Sequence, residues 1–502
     1  MRYWPPICGR ARKRPPRSGK INEMILHIGR MILVLLEVLV IFNLLIVVHE
    51  LGHFLAARWR GLYIEKFGIW FGKPLWKKKI NGVQYSLGSL PFGGFVALPQ
   101  LAPMDIIEGK ADVDREQLPP ISALDKIIVA IAGPLFSFLL AVVFASLVWA
   151  VGYPVSESDM TTVIGYIAPE SPAKNVLREG DKILEIDGKR VTRFLGMNDS
   201  VSWAVVRSEG DTIPIKFERD GQVQTADVEP FKAQSRAWFR RKSVRQLLIL
   251  PAETAMIDKV EANSPAAEAG LQPHDVIRGF NHHPIYNPIA LLEYIRKHPN
   301  EALALDVDRA GARSEIEVKP RPLPTKDEDE KTKMQPRIGI QWDTSGIMTI
   351  SHPSPIELIH NSVTSTLNTL GAVISPKSDV KLQHLSGPVG IGRIYFLFFE
   401  SPRGWQLVLW LSVVLNVNLA ILNMLPIPVL DGGHILFGLI ESVRRKPLNM
   451  RVLEIVQGAC TLLIISVIVY ITFFDIQDLP FVKHALDKYA PQSQKAKDKD
   501  LP

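Results

Sequence analysis

The chain has 502 residues, 47% hydrophobic and 22% charged, with a formal net charge of +7 and two cysteines. That length is too great for one ordinary domain, and Cys8 in a basic leader and Cys460 in an apolar stretch leave no disulfide framework to expect. The Lys and Arg cluster beside apolar runs, which fits membrane orientation and argues against nucleic-acid binding.

Residues 1–30 form a basic leader rich in Arg, Lys and Pro. It is not read as a cleaved signal peptide. The apolar run that follows is too long for such a segment, and cleavage would separate or destroy the motif it carries. Met24 and Met31 are alternative starts, and the mature N-terminus is expected at one of them. A first membrane span is predicted over 31–57, long enough for a ~30 Å hydrocarbon core. Inside it stands His49-Glu50-Leu51-Gly52-His53. Two imidazoles four residues apart share one helix face and can hold one zinc ion, with Glu50 placed to take a proton from water there. Such a pattern also arises by chance, and a lone His near a helix end is usually structural. Three ionisable groups within one turn of a membrane span, however, are costly unless partnered and used. Catalytic zinc sites usually have three protein ligands, so a third is expected from elsewhere.

Residues 58–122 begin with Arg58, Arg60, Lys66, Lys73 and Lys77-Lys78-Lys79, which by the positive-inside rule puts this loop and the His pair toward the cytoplasm. Glycines among β-prone residues predict short hairpins, with Asn81-Gly82 as a turn. The apolar part at 67–72 either dips into the membrane surface or forms an ordinary cytoplasmic hairpin. A second span is predicted over 127–151, with Gly133-Pro134 and Ser137 inside it. No Lys or Arg follows until Lys174, so the chain exits to the outside.

Two stretches then repeat. Ser171-Pro172-Ala173, Gly180-Asp181-Lys182-Ile183-Leu184 and Ile186-Asp187-Gly188 are echoed by Ser264-Pro265-Ala266-Ala267, Ala269-Gly270-Leu271 and His274-Asp275-Val276-Ile277. These are similar to PDZ domains, which capture chain ends by adding a strand to a sheet edge. They are expected at 160–230 and 247–320. The second copy departs from the pattern at His274 and at Asn281-His282-His283-Pro284, whose histidines read as solvated turn residues or as a metal site. Residues 231–246 read as a basic linker or a contact for anionic lipid, and 320–336 as an exposed flexible charged loop. An amphipathic helix on the outer membrane face, followed by a tight turn at Leu385-Ser386-Gly387-Pro388-Val389-Gly390, is expected over 356–392.

A third span is predicted over 405–430. It holds Asn416, Asn418 and Asn423, breaks at Pro426-Ile427-Pro428 and reaches Asp431-Gly432-Gly433-His434. Polar groups at membrane depth need partners, and Pro-x-Pro frees backbone groups that only protein or a wet cavity can satisfy. Asp431 is therefore the candidate third ligand; the alternatives are an Asp that caps the next helix, and His434 as the ligand. Arg444-Arg445-Lys446 and Arg451 mark a second cytoplasmic loop. A fourth span follows over 452–474, and a polar tail over 475–502. Four spans put both termini outside, which conflicts with the basic residues 1–20 and is the reason for expecting a later start.

Together these motifs resemble the site-2 protease family, in its bacterial RseP-like branch with tandem PDZ domains. The carrying residues are His49-Glu50-Leu51-Gly52-His53-Phe54, Ile69-Trp70-Phe71-Gly72-Lys73, Gly93-Gly94-Phe95-Val96, Ala132-Gly133-Pro134-Leu135, the Leu385–Gly390 stretch, and Asn423-Met424-Leu425-Pro426-Ile427-Pro428-Val429-Leu430-Asp431-Gly432-Gly433. The resemblance covers about residues 31–480. It implies a polytopic α-helical membrane protein of four transmembrane helices, with two extracytoplasmic PDZ domains of mixed α/β structure and a membrane-associated β-hairpin region. It makes His49, His53 and Asp431 ligands of Zn2+, Glu50 the general base, and Asn423, Pro426 and Pro428 contacts for an unwound substrate segment. The glycine-rich loop at 67–95 implies an edge strand that lines up substrate. Ser137 stands where the family usually has Asn, and Ala97-Leu98 where the branch commonly has a Lys-Met type pair.

The implied reaction is peptide hydrolysis within single-span membrane proteins, such as an anti-sigma factor or signal-peptide remnants, in the bacterial inner membrane. The zinc site lies toward the cytoplasm, the PDZ pair outside, and no nucleic acid takes part. One rival is a catalytically idle membrane PDZ adaptor or chaperone that binds protein C-termini; it needs neither Glu50 nor Asp431. Another is a zinc transporter, which predicts a second polar path through the spans.

Overall fold

The computed structural model describes residues 17–101, 118–233, 239–326, 332–343, 346–401, 403–446, 448–479 and 482. Most of the expected leader and tail, and the centre of the charged loop at 327–331, lie outside the described residues. Among the described residues four helices are long and apolar enough to cross a membrane, at Gly29–Trp59, Ala123–Val151, Gly404–Asn423 and Arg451–Gln477.

Helix α1 spans Arg17–Trp59. Strands β1 (Lys66–Phe71), β2 (Trp76–Ile80), β3 (Val83–Leu87) and β4 (Leu90–Ala97) follow. They form one sheet in the order β2-β3-β1-β4, with β1 parallel to β3 and antiparallel to β4, so β4 is an edge. Asn81 and Gly82 turn β2 into β3 at φ 50° and 88°, the left-handed pair that a two-residue hairpin requires. The sheet packs on α1 through Phe54, Ala57, Phe67 and Val96.

Helix α2 (Ala123–Val151) is capped by Ser122, whose side chain accepts the Asp125 amide. Ala130, Ala132, Gly133, Ser137, Ala141 and Ala145 are buried along it. Small residues let backbones approach closely in an apolar bundle. At Gly52 of α1 an added Cβ would strike the Ala132 carbonyl. This face makes α2 the central helix.

After β5 (Tyr153–Ser156) and the one-turn α3 (Glu157–Met160), two units are built alike. The first holds β6 (Ile164–Ile167), β7 (Lys182–Ile186), β8 (Lys189–Arg190), α4 (Val201–Arg207), β9 (Ile213–Arg219), β10 (Gln222–Val228) and β11 (Ile249–Pro251). The second holds β12 (Ile257–Val260), α5 (Pro265–Glu268), β13 (Val276–Phe280), β14 (His283–Pro284), α6 (Pro288–Lys297), β15 (Leu303–Arg309), β16 (Ala312–Val318), β17 (Arg321–Lys326), β18 (Thr332–Arg337) and β19 (Ile340–Trp342). Their sheets run β10-β9-β7-β8 and β16-β15-β13-β14, and β11 pairs β6 as β19 pairs β12. Each contains a buried Asp held by an Arg fork: Asp181 by Arg219 at 2.7 and 2.6 Å, and Asp275 by Arg309 at 2.7 and 2.7 Å.

The expected boundaries at 230 and 320 fall short. Leu247 completes the first core, and Ile338 and Ile340 the second. Each unit is closed by a strand that returns after a long excursion, so its last core residues lie far from the rest in sequence. The flexible loop expected at 320–336 is also corrected. β17 and β18 pair in antiparallel register from Arg321↔Arg337 to Lys326↔Thr332. Backbone pairing overrides the charge and proline content there. His282 and His283 are exposed on a turn at Asn281 and His282, both with positive φ. His274 takes φ 70° at the place where Gly180 takes 91° in the first unit.

β20 (Met348–Ser351) pairs with β5. Helix α7 (Pro355–Ile374) packs into the membrane bundle through Leu358, and the Thr366 hydroxyl hydrogen-bonds Asn418. The expected tight turn at 385–390 instead opens a helix, α8 (Pro388–Glu400). The Asp475 carboxylate accepts the Gly387 and Gly390 amides at 2.9 Å each. This cap comes from a distant helix, so no local signal announced it. Helices α9 (Gly404–Asn423), α10 (Asp431–Arg444) and α11 (Met450–Gln477) follow.

Candidate metal centre

The His pair rides on α1, Asn423 ends α9, and Asp431 starts α10. The chain between the last two, 424–430, is the break that Pro426 and Pro428 enforce. Gly432 and Gly433 let α10 tuck beneath it, since a Cβ at either would collide with the Met424, Leu425 or Ile427 carbonyl. Asp431 is thereby carried to α1. His49 Nε2 lies 3.2 Å from Asp431 Oδ2, His53 Nε2 3.3 Å from Asp431 Oδ1, and the two Nε2 atoms are 3.2 Å apart. The capping alternative for Asp431 is not what is observed, because Leu430 is the N-cap and no side chain caps. Among the described residues His434 is not in this donor cluster, although it is buried and lines the same cavity.

The donor set fits one zinc ion on three counts. Ligand atoms ~2.0–2.1 Å from a tetrahedral centre are ~3.3–3.4 Å from one another, close to the three spacings seen. Asp431 Oδ2 is buried without a hydrogen-bond partner. Both imidazoles are also oriented from behind. His53 Nδ1 lies 2.8 Å from the Val129 carbonyl, which can only accept, so Nδ1 carries the proton and Nε2 keeps its lone pair. His49 Nδ1 lies 3.0 Å from Ser137 Oγ, which can accept in the same way. Gly133 leaves room for the His53 ring, on which a Cβ would fall.

Glu50 borders a cavity of about 270 Å³ shared with His49, His53, Asn423 and Asp431. Val96 of β4 lines the same cavity, and Gly94 brings the strand against Glu50, with an added Cβ 3.3 Å from its Cγ. Asn423 Nδ2 stands 3.4 Å from His49 Nε2. Pro426 and Pro428 lie in the break but off the cavity lining; the Pro428 carbonyl accepts from Gln457 at 3.3 Å. They shape the backbone, and the expected substrate contact does not follow from their position. The sequence reading missed Ser137 and the Val129 carbonyl as orienting groups. The signal for Ser137 was a polar residue inside an apolar span; a backbone carbonyl leaves none.

Residues 37–467 match peptidase family M50. The chain is 29% identical over 454 residues to a regulator of sigma E protease from Salmonella typhi, covering 82% of this chain and 92% of that one. It is 28% identical over 432 residues to the regulator of sigma-E protease RseP of Escherichia coli, again covering 82% and 92%. Protease RseP of Yersinia pestis matches at 29% over 434 residues, with the same coverage. The PDZ domain of an SdrC-like protein from Listeria innocua matches 18% of this chain and 94% of that chain, at 17% identity and a TM-score of 0.15. With a family match that runs from the first membrane helix into the last and encloses both halves of the metal centre, the chain belongs to peptidase family M50, the site-2 proteases.

Proposed function

We propose that the chain is a zinc protease that cuts peptide bonds inside the membrane spans of single-span proteins. The observation that carries this is the meeting of His49, His53 and Asp431 beside Glu50 in a cavity walled by an edge strand. His49, His53 and Asp431 hold the metal. Zinc, when bound, supplies Lewis acidity and lowers the pKa of water. Glu50 takes the proton of the attacking water as the bond to the scissile carbonyl carbon forms, and returns it to the leaving amine.

A transmembrane helix hides its carbonyls in internal hydrogen bonds, so the substrate must unwind. β4 offers compensation, because an extended segment can add to its edge, and Asn423 stands ready to hydrogen-bond the same segment. Pro426 and Pro428 keep the α9–α10 break open around it. The basic residues after α1 and α10 support a site facing the cytoplasm, in a bacterial inner membrane, with the two repeated units as outward PDZ domains. There they dock or size-select substrates. Relatives named for sigma-E regulation make an anti-sigma factor the first substrate to try, with signal-peptide remnants second.

The test is cleavage of a single-span protein by purified full-length chain in lipid, beside Glu50→Gln. The parent should cut and the variant lose at least a hundredfold while keeping its zinc. Equal cleavage by both removes Glu50 from its role.

A further inference from the structure

One polar group within α1 takes no part in the metal centre. Asn43 lies seven residues before Glu50, two helical turns or ~10.5 Å along the axis. Its amide donates to its own helix at the Leu39 carbonyl, 2.7 Å away, and reaches the Pro91 carbonyl of β4 at 3.4 Å. Its Oδ1 accepts the indole N–H of Trp70 at 2.5 Å. One side chain thus ties α1 to both strands that border the cavity.

Trp70 is held in an unusual way. It sits inside β1 at φ 68°, where the β1–β4 register shifts between Ile69 and Phe71. A bulky residue in the left-handed region is strained and persists only where its surroundings over-determine it. The bulge turns the indole away from the strand and onto α1. The neighbouring Phe71 stacks on Phe95 of β4 at 5.9 Å between centroids, and both rings line the cavity. β4 therefore meets α1 at two heights: Pro91 at Asn43, and Gly94 at Glu50.

We propose that the Asn43–Trp70 contact is a register pin. Together with the Asn43–Pro91 contact it holds β1 and the outer half of β4 against α1, so that a substrate pairs along the whole edge and one defined peptide bond lies opposite Glu50. This rests on the reading of β4 as the substrate-pairing edge. Without the pin, pairing is confined to the inner half and the register is weakly specified. A slip of one residue would turn every substrate side chain to the opposite face, so slips come in steps of two residues, ~6.8 Å of chain. Asn43 and Trp70 are then specificity-determining positioning residues, not catalytic ones.

The experiment uses the full-length chain in lipid with a synthetic single-span substrate and reads every product by mass. In Asn43→Leu and Trp70→Phe, cleavage continues and zinc content is unchanged. The share of product cut two residues from the parent site rises about fivefold, the effect of one lost hydrogen bond. An unchanged product pattern in both variants overturns the pin. So does loss of all cleavage or of zinc in both, which would make the pair merely structural. A substrate with N-methylated amides flanking the scissile bond tests the underlying reading separately. If the parent cuts it as fast as the unmodified peptide, strand pairing itself fails, whatever the variants do.

Discussion

Ser137 lies in the middle of α2, fully buried, with its hydroxyl 3.0 Å from His49 Nδ1. Replacing it with Ala removes one oxygen and no carbon, so the packing of α2 on α1 is kept. What is lost is the acceptor that keeps the proton on Nδ1 and the lone pair on Nε2. A buried N–H left without an acceptor costs ~1–3 kcal/mol, and loss of such an outer partner typically weakens metal binding 10–100-fold. The two ranges agree, since ~1.4 kcal/mol is a factor of ten. His53 cannot be weakened in this way, because its partner is the Val129 carbonyl. Ser137→Ala should therefore bind zinc about 10–100-fold more weakly, measured by competition with a chromophoric chelator on full-length protein in detergent. Cleavage should recover when zinc is saturating. An affinity within twofold of the parent would refute the argument, since it would mean that the 3.0 Å contact does not orient His49.

Other outcomes follow from the same geometry. Gly133→Ala places a methyl group on the His53 ring, so zinc content should fall even at saturating metal while Ala132→Gly retains it; metal analysis of purified protein decides. In the second repeated unit, Asp275 is buried and Arg309 half-exposed. Arg309→Ala leaves that buried carboxylate without its partner and destabilises the unit. Hydrogen exchange in full-length protein should quicken across β13 and β15 and stay unchanged across β7 and β9. The same pair sets a pH dependence. Burial pushes the Asp275 carboxyl up, but hydrogen bonds from Arg309 and the Gln272 amide outweigh it and hold the group below the usual range. Its stabilising contribution is thus complete above the unfolded value of about 3.9 and is lost as pH falls through the lower folded value. Exchange of β13 at pH 5 and 3 should show the loss in the parent, and little pH effect in Arg309→Ala.

Much of this was legible one residue at a time. Helical periodicity alone puts His49 and His53 on one face, and the length of the apolar runs sets the four spans. The cost of charge at membrane depth singled out Asp431 before any partner was known. The repeated Ser-Pro-Ala stretches, with Gly180-Asp181 echoed by His274-Asp275, marked two copies of one unit. The rest depended on contacts between segments far apart in sequence. Residues 388–400 mix Gly with aromatic β-formers, and their helix is capped by Asp475 from α11. The charged stretch at 320–336 became a hairpin because β17 and β18 satisfy each other's backbones. Each repeated unit ended later than its composition implied because a returning strand closes its core. Ser137 read as a departure from a pattern until α1 and α2 packed and put it behind His49. Local sequence carries backbone preference and the cost of leaving a group in the wrong solvent. Which carbonyl, hydroxyl or strand edge meets that group is decided only when distant segments pack, because a hydrogen bond needs its partner within about 3 Å and nothing in the neighbouring residues encodes who that partner is.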